Sequence, residues 1–552
     1  MLFVFLYKLN QFKAMKKLLV VVFAMVLSSS VFAQKTLQRP KVVIGIAVDQ
    51  MRWDYIYKFY NLYSDNGFKR LLTSGYVCQN AMVNYLPSHT APGHTAIYTG
   101  SVPSIAGIAG NAFIENTDGK LHDACEDKSV NTIGSEKKGS SSPNNMLVTT
   151  VGDELRIATN MKSRTFSVAI KNRGSILPGG HLCNGAYWFD DELGYFTTST
   201  YYMQKLPDWL VKFNSNTYKT QVMDKGWYLS FKDYSLSTED NARYEENFPK
   251  ETSPTFPHLF KNQNEKERNT SFDMTPYGNQ YTIMMAEAMI AGEHIGKGNN
   301  TDFLSISFSS PDELAHQFGC NSIEMQDMML LLDKQLSDFF TYLDATYIPG
   351  NYLLFLTADH GGSHNEEYLK DNRIPSGVFE KQSVANVNLY LKNKFGVDSL
   401  VIGFTNYYQF FLNNTLLAKS TISRATVRQA IIDWALEKPE VLYAVDLSNI
   451  SGSNLPTRIK EMVINGYNRR RGGDVQLILN PANYEYAGKT KGNTHGTWSP
   501  ADAHIPLIFY GWGVKKGEST VEVYTTDIAP TISALLHIQM PNGCIGKPIQ
   551  LK

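Results

Sequence analysis

Cysteine is scarce in this chain. Only Cys78, Cys125, Cys183, Cys320 and Cys544 occur in 552 residues. None forms a C-x-x-C pair, which argues against a cysteine-held zinc site. Their odd number and wide spacing leave any disulfide pairing unreadable. Net charge is absent as well: 52 Lys and Arg balance 52 Asp and Glu, so no basic excess draws the chain to nucleic acid. There is no internal repeat, and no long apolar run follows residue 33. The one apolar stretch lies at the start. Residues 15–17 (MKK) form a basic n-region and residues 18–27 an apolar core too short to span a bilayer. Val31-Phe32-Ala33 completes a cleavage signal. Residues 1–33 are therefore expected to be a signal peptide, with 1–14 an upstream start and Gln34 the first mature residue. The expected mature protein is exported, periplasmic or secreted, with no membrane segment after signal cleavage, and monomeric.

What the chain does have is apolar bulk: 43% hydrophobic and 12% aromatic residues, enough for a large core and more than one lobe. Four apolar, β-branched runs end in polar residues. Residues 41–48 (KVVIGIAV) lead to Asp49, and 166–170 to Lys171 and Arg173. Residues 303–308 lead to Asp312 and His316, and 352–356 to Asp359 and His360. Such runs read as buried parallel strands. Helices are expected from residue 50 to about 60 and over 146–160, 277–292, 323–342 and 426–436. Further strands are expected over 384–392, 407–412 and 505–510, the last near an edge because of Pro506. Residues 114–145 are polar, with 137–143 a loop. The fold expectation is α/β: a doubly wound, mostly parallel central sheet with helices on both faces. The core would comprise 34–178, 273–363 and 489–552, interrupted by an aromatic-rich insertion (179–272) and an α+β lobe (364–488).

The stretch NYLPSHTAPGHT (84–95) reads as a turn into a helix that Gly100 ends. Thr90 is expected at the N-cap and Pro92 in the first turn. A hydroxyl there faces the positive helix end and suits an anion such as phosphate, although threonine is also an ordinary cap. Asn111, in a glycine-rich turn, falls within reach. Lys171 and Arg173, two apart, share a side if the chain is extended. In a doubly wound sheet the four strand ends converge on one crevice. With His495 of NTHGT, three carboxylates and three imidazoles gather there. Mixed N/O sets of this kind suit zinc, and two zinc ions can clamp an in-line displacement. His89 and His94 are expected to pack, and Asp527 to cap the last helix.

The series VDQMRWD, NYLPSHTAPGHT, IKNRG, SPDELAH, TADHGG and NTHGT resembles the alkaline phosphatase superfamily, and within it the bacterial phosphate-irrepressible alkaline phosphatases with a threonine nucleophile. These are related to nucleotide pyrophosphatase/phosphodiesterases. The resemblance spans residues 49–495. It implies an alkaline phosphatase-like fold and two Zn2+ per chain. One ion would be held by Asp49, Asp359 and His360 and would also bind Thr90. The other would be held by Asp312, His316 and His495. Thr90 would be the nucleophile, and Asn111, Lys171 and Arg173 would bind the phosphoryl oxygens of small phosphate-ester substrates. The sulfatase motif Cys/Ser-x-Pro-x-Arg is absent. A phosphodiesterase on the same core, and an exported metal-binding protein without turnover, are the competing readings.

Overall fold

The computed structural model describes residues 1–29, 38–137, 139–380, 384–405, 407–486 and 491–551. The chain forms two units, Met1–Arg39 and Pro40–Lys552. Among its described residues, the first contains the helix Leu2–Ser29. The expected cleavage residues 31–34 lie outside the described residues. No described helix is long and apolar enough to cross a membrane.

The second unit is built on a nine-stranded sheet: Val42–Val48 (β1), Tyr76–Cys78 (β2), Thr165–Ala169 (β3), Gly185–Asp190 (β4), Tyr195–Thr197 (β5), Asp302–Phe308 (β6), Tyr352–Thr357 (β7), Leu507–Gly511 (β8) and Gly517–Ser519 (β9). Their order is β5-β4-β3-β6-β1-β7-β8-β2-β9. The five neighbours from β4 to β7 are parallel. Every residue of β1, β3, β6 and β7 is buried, as in a sheet covered on both faces. Register then sets the site. Ala169, Ser307, Ala47 and Thr357 lie side by side across β3, β6, β1 and β7. The four carboxyl ends are therefore level, and the polar residues just beyond them meet in one place.

Several expectations change. Strand β8 is antiparallel and lies between β7 and β2, well inside the sheet. Pro506 precedes it, so no ladder donor is lost, and its carbonyl accepts from Thr357 Oγ1 at 2.9 Å. Residues 384–392 are helical, within Val384–Phe395. Their period-two pattern misleads because Leu389 is 59% exposed, while Val387 and Leu391, four apart, are buried. The helix after Asp49 begins only at Tyr55 and ends at Lys58. Inside 114–145, Ala112–Glu115 pairs with Lys120–Asp123 as a hairpin. Strands β4 and β5, from the aromatic-rich block, extend the central sheet. In the 364–488 block, Val401–Phe404, Gln409–Leu412, Val475–Leu479 and Val441–Asp446 form a separate four-stranded sheet. It shares an apolar cluster with Val387, Leu391, Ile431 and Trp434.

Candidate active site

Asp49 follows β1 directly, and Asp359 and His360 follow β7. Asp312 and His316 sit one turn apart on the helix Ser310–Phe318, which starts just after β6. His495 arrives from a distant loop. Ligating atoms of Asp312, His316 and His495 all lie within 4.8 Å of one another, and so do those of Asp49, Asp312 and His360. Asp312 thus belongs to both groups. Asp49 Oδ1 and Asp359 Oδ2 each stand 3.5 Å from His360 Nε2.

The three imidazoles are oriented alike. Nδ1 of His316, His360 and His495 lies 2.9, 2.8 and 2.8 Å from the carbonyls of Asn493, Gly361 and Ser88. A carbonyl can only accept, so each Nδ1 carries a proton and each Nε2 faces inward, the orientation of a metal-binding histidine. Asp49 Oδ1, Asp359 Oδ2, His360 Nε2 and Thr90 Oγ1 are buried without a hydrogen-bond partner. Orphaned atoms of this kind are costly unless something polar sits among them. The charge balance points the same way. Burial, with Asp312 and Asp359 nearby, pushes the Asp49 carboxyl well above its usual range. Burial and His360 push His495 well below its ordinary value, so it is neutral. Crowded carboxylates at Asp49, a neutral His495 and three inward-facing imidazoles fit divalent cations.

Thr90 opens the helix Thr90–Thr99, with His89 at the cap position and Gly100 at its left-handed end. Thr90 is therefore the first helical residue and not the N-cap, and its hydroxyl is left free of capping. The first turn offers few backbone donors to an anion. The Ala91 amide donates to Asn111 Oδ1 at 2.8 Å, and Pro92 has no N–H. Asn111 is so anchored to the first turn of the Thr90 helix. A Cβ on Gly93 would stand 2.6 Å from Asp359 Cβ, so this glycine lets the Thr90 helix press against the Asp359 turn. Lys171 caps the helix Asn172–Gly179, and Arg173 lies inside it. The pair is therefore not on an extended chain. Lys171 Nζ reaches Asp49 Oδ2 at 3.0 Å, Glu313 Oε1 at 3.2 Å and Asp312 Oδ2. Burial opposes its charge, but those carboxylates outweigh burial and hold it well above its ordinary value. Arg173 Nε is buried without a partner.

The ten residues singled out in the sequence thus lie just beyond the carboxyl ends of β1, β3, β6 and β7 or on the helices and loops beside them. His94, one turn past Thr90 and expected to pack, is fully buried and touches Thr90 and Asp359. Two more residues were missed. Gln50 and Glu313 adjoin Asp49 and Asp312 in sequence, and adjacency alone does not reveal which way a side chain turns.

Residues 43–499 match the type I phosphodiesterase / nucleotide pyrophosphatase family. The chain is 46% identical over 94% of its length to alkaline phosphatase PhoV of Synechococcus elongatus, covering 94% of that protein. It is 44% identical to a Myroides odoratus protein named a calcium-transporting ATPase, over 95% of this chain and 96% of the other. The crystal structure of wild-type alkaline phosphatase PafA superposes with a TM-score of 0.89 at 42% identity, over 93% of this chain and 99% of that one. The fold is thus that of PafA, with a large, mostly parallel central sheet, and the chain belongs to the type I phosphodiesterase / nucleotide pyrophosphatase family.

Proposed function

We propose that this protein is an exported, monomeric phosphomonoesterase that works through a covalent phosphothreonine. The observation that carries the reading is the buried, unpartnered Thr90 Oγ1 on a helix that presses against the Asp359 turn, in a chain that gathers two groups of metal-type donors. Its similarity to PhoV and PafA supports the same activity. The name of the Myroides relative is compatible at the level of chemistry, since ATP hydrolysis is also phosphoryl transfer to water.

Asp49, Asp359 and His360 would hold one zinc ion and Asp312, His316 and His495 the other. Bound there, the ions supply charge that lowers the pKa of an oxygen nucleophile and offsets negative charge developing on the phosphoryl group. Thr90 Oγ attacks phosphorus in line with the leaving oxygen. The Oγ–P bond forms as the ester P–O bond breaks, and water then releases phosphate and restores the hydroxyl. Asn111 donates to a phosphoryl oxygen, and Lys171 and Arg173 bring charge to the others. Asp49, Asp312 and Glu313 surround Lys171; cations held by Asp49 and Asp312 would leave its ammonium for substrate.

The test compares a chromogenic monoester with its diester on zinc-loaded protein, with and without chelator. Faster monoester turnover that chelation abolishes and zinc restores is expected. Preferred diester turnover would move the assignment to phosphodiesterase. Undiminished turnover in metal-free protein would end the metal reading, and no turnover of either ester would leave only a metal-binding protein.

A further inference from the structure

Gln50 has a backbone that glutamine avoids. It sits at φ +58°, in the left-handed region that glycine occupies freely and other residues occupy at a cost. It is also 3% exposed and directly follows Asp49. Strain at a buried position persists when surrounding contacts over-determine it, and two such contacts are present. The Gln50 backbone N–H donates to Asp359 Oδ1 at 3.2 Å. Its side-chain Nε2 donates to Asp312 Oδ1. One residue therefore grips a carboxylate from each half of the site.

The oxygen that the side chain grips is the informative one. Asp312 Oδ1 stands 3.4 Å from His316 Nε2 and 3.5 Å from His495 Nε2, so it is the atom aimed at the His316–His495 pocket. A carboxylate oxygen accepts more than one partner, so a hydrogen bond from Gln50 leaves room for a cation. Lys171 holds the other oxygen, Oδ2. Space for the glutamine is built in from the opposite side. A Cβ on Gly362 would lie 2.4 Å from Gln50 Oε1 and 3.0 Å from Asn493 Nδ2. The second glycine of the ADHGG turn is thus the floor on which the Gln50 amide rests.

We infer that Gln50 is a positioning residue for the metal pocket of Asp312, His316 and His495, and that Gly362 is kept bare to seat it. This rests on the metal reading of the site. The side chain fixes Asp312 Oδ1, and the left-handed backbone turns that side chain away from its own strand and across to the neighbouring one.

The experiment titrates zinc against a competing chelator in wild type, Gln50→Gly, Gly362→Ala and the double variant, with melting of each apo-protein recorded in parallel. Gln50→Gly relieves the backbone but takes a donor from buried Asp312, so its apo-protein should melt close to wild type. One of its two zinc ions should bind about 10- to 100-fold more weakly, the range typical of lost outer partners of metal ligands. Gly362→Ala should weaken the same ion by displacing the amide. The double variant should lose less than the sum of the two single losses, because the added methyl then meets only Asn493 Nδ2 at 3.0 Å and no glutamine. Wild-type zinc affinity in Gln50→Gly would overturn the inference. So would equal loss of both ions together with a lower apo melting temperature, or fully additive effects. Should Gln50→Gly fail to fold, Gly362→Ala alone decides. Wild type that binds no zinc would instead overturn the metal reading.

Discussion

Nδ1 of His94 lies 3.3 Å from Oδ2 of Asp359, and both side chains are fully buried. The same nitrogen is 2.9 Å from the Thr90 carbonyl, and Nε2 is 2.7 Å from Ser307 Oγ. Carbonyl and carboxylate only accept, so Nδ1 carries the proton and the serine hydroxyl donates to Nε2. His94 therefore ties the helix that presents Thr90 to the turn that presents Asp359. Replacing His94 by Ala should weaken zinc binding about 10- to 100-fold. It should also destabilise the fold by about 1–3 kcal/mol, since the buried Thr90 carbonyl and Ser307 hydroxyl each lose a hydrogen-bond partner. Chelator competition and denaturant melts measure the two. Loss of stability with unchanged zinc affinity would return His94 to plain packing.

Thr90 separates the chemistry from the scaffold. Thr90→Ala should lower kcat by roughly four orders of magnitude or more, as for other nucleophile deletions, while zinc content stays at the wild-type level. Thr90→Ser should keep part of the activity and still accumulate a covalent phosphoenzyme on acid quench. A Thr90→Ala enzyme with substantial turnover and full zinc would remove the nucleophile assignment.

The main frame of the site was legible because parallel strands announce themselves as continuous apolar runs, and each run ends in a polar residue that a buried core does not need. Asp49, Lys171, Asp312 and Asp359 all stood out on that ground. Local conformation was less legible. Thr90 looks like a cap by composition, yet His89 takes the extended cap geometry. Lys171 and Arg173 read as strand residues because Phe166 to Ala169 precede them, yet Asn172 starts a helix. Residues 384–392 show two periodicities, and only tertiary burial chooses between them. Gln50 was invisible because its part depends on a left-handed backbone and on the space above Gly362, and neither is a property of residue type.

Away from the site, His258 links pH to stability. Glu251 Oε2 and Glu324 Oε1 stand 3.0 and 3.4 Å from its two nitrogens, and the rings of Trp227, Phe248, Phe256 and Phe318 surround it. Burial opposes its charge, but the two glutamates outweigh burial and push it up to about 8. A histidine raised in the folded state stabilises fully below its unfolded value of about 6.5 and loses that contribution as pH rises through 8. The amount is on the order of 2 kcal/mol. Burial and Glu324 push Glu245 up to about 9, so the folded state holds that proton too, and stability falls further on the alkaline side. Zinc-loaded protein should therefore melt lower at pH 9 than at pH 6, and Glu324→Gln should shrink that difference. An unchanged pH difference in Glu324→Gln would dismiss this cluster as its source.

The final prediction concerns monoesters against diesters. A monoester dianion carries one more charged oxygen than a diester, whose second substituent is uncharged. Lys171 and Arg173 bring two cations to one wall of the site, and Arg173 Nε is buried with no partner of its own. An arginine can grip two oxygens at once, and a lysine adds a compact charge. Asn111, fixed through Ala91, adds a donor without changing charge. Deleting such a contact should cost about 2.7–4 kcal/mol in the transition state, or roughly 10²- to 10³-fold. Lys171→Ala and Arg173→Ala should each lower monoester kcat/KM by that factor and diester kcat/KM far less. Asn111→Ala should lower both by similar factors, because its donor serves an oxygen that both esters possess. Equal losses for both esters in the Lys171 and Arg173 variants would make those residues structural and favour the phosphodiesterase assignment.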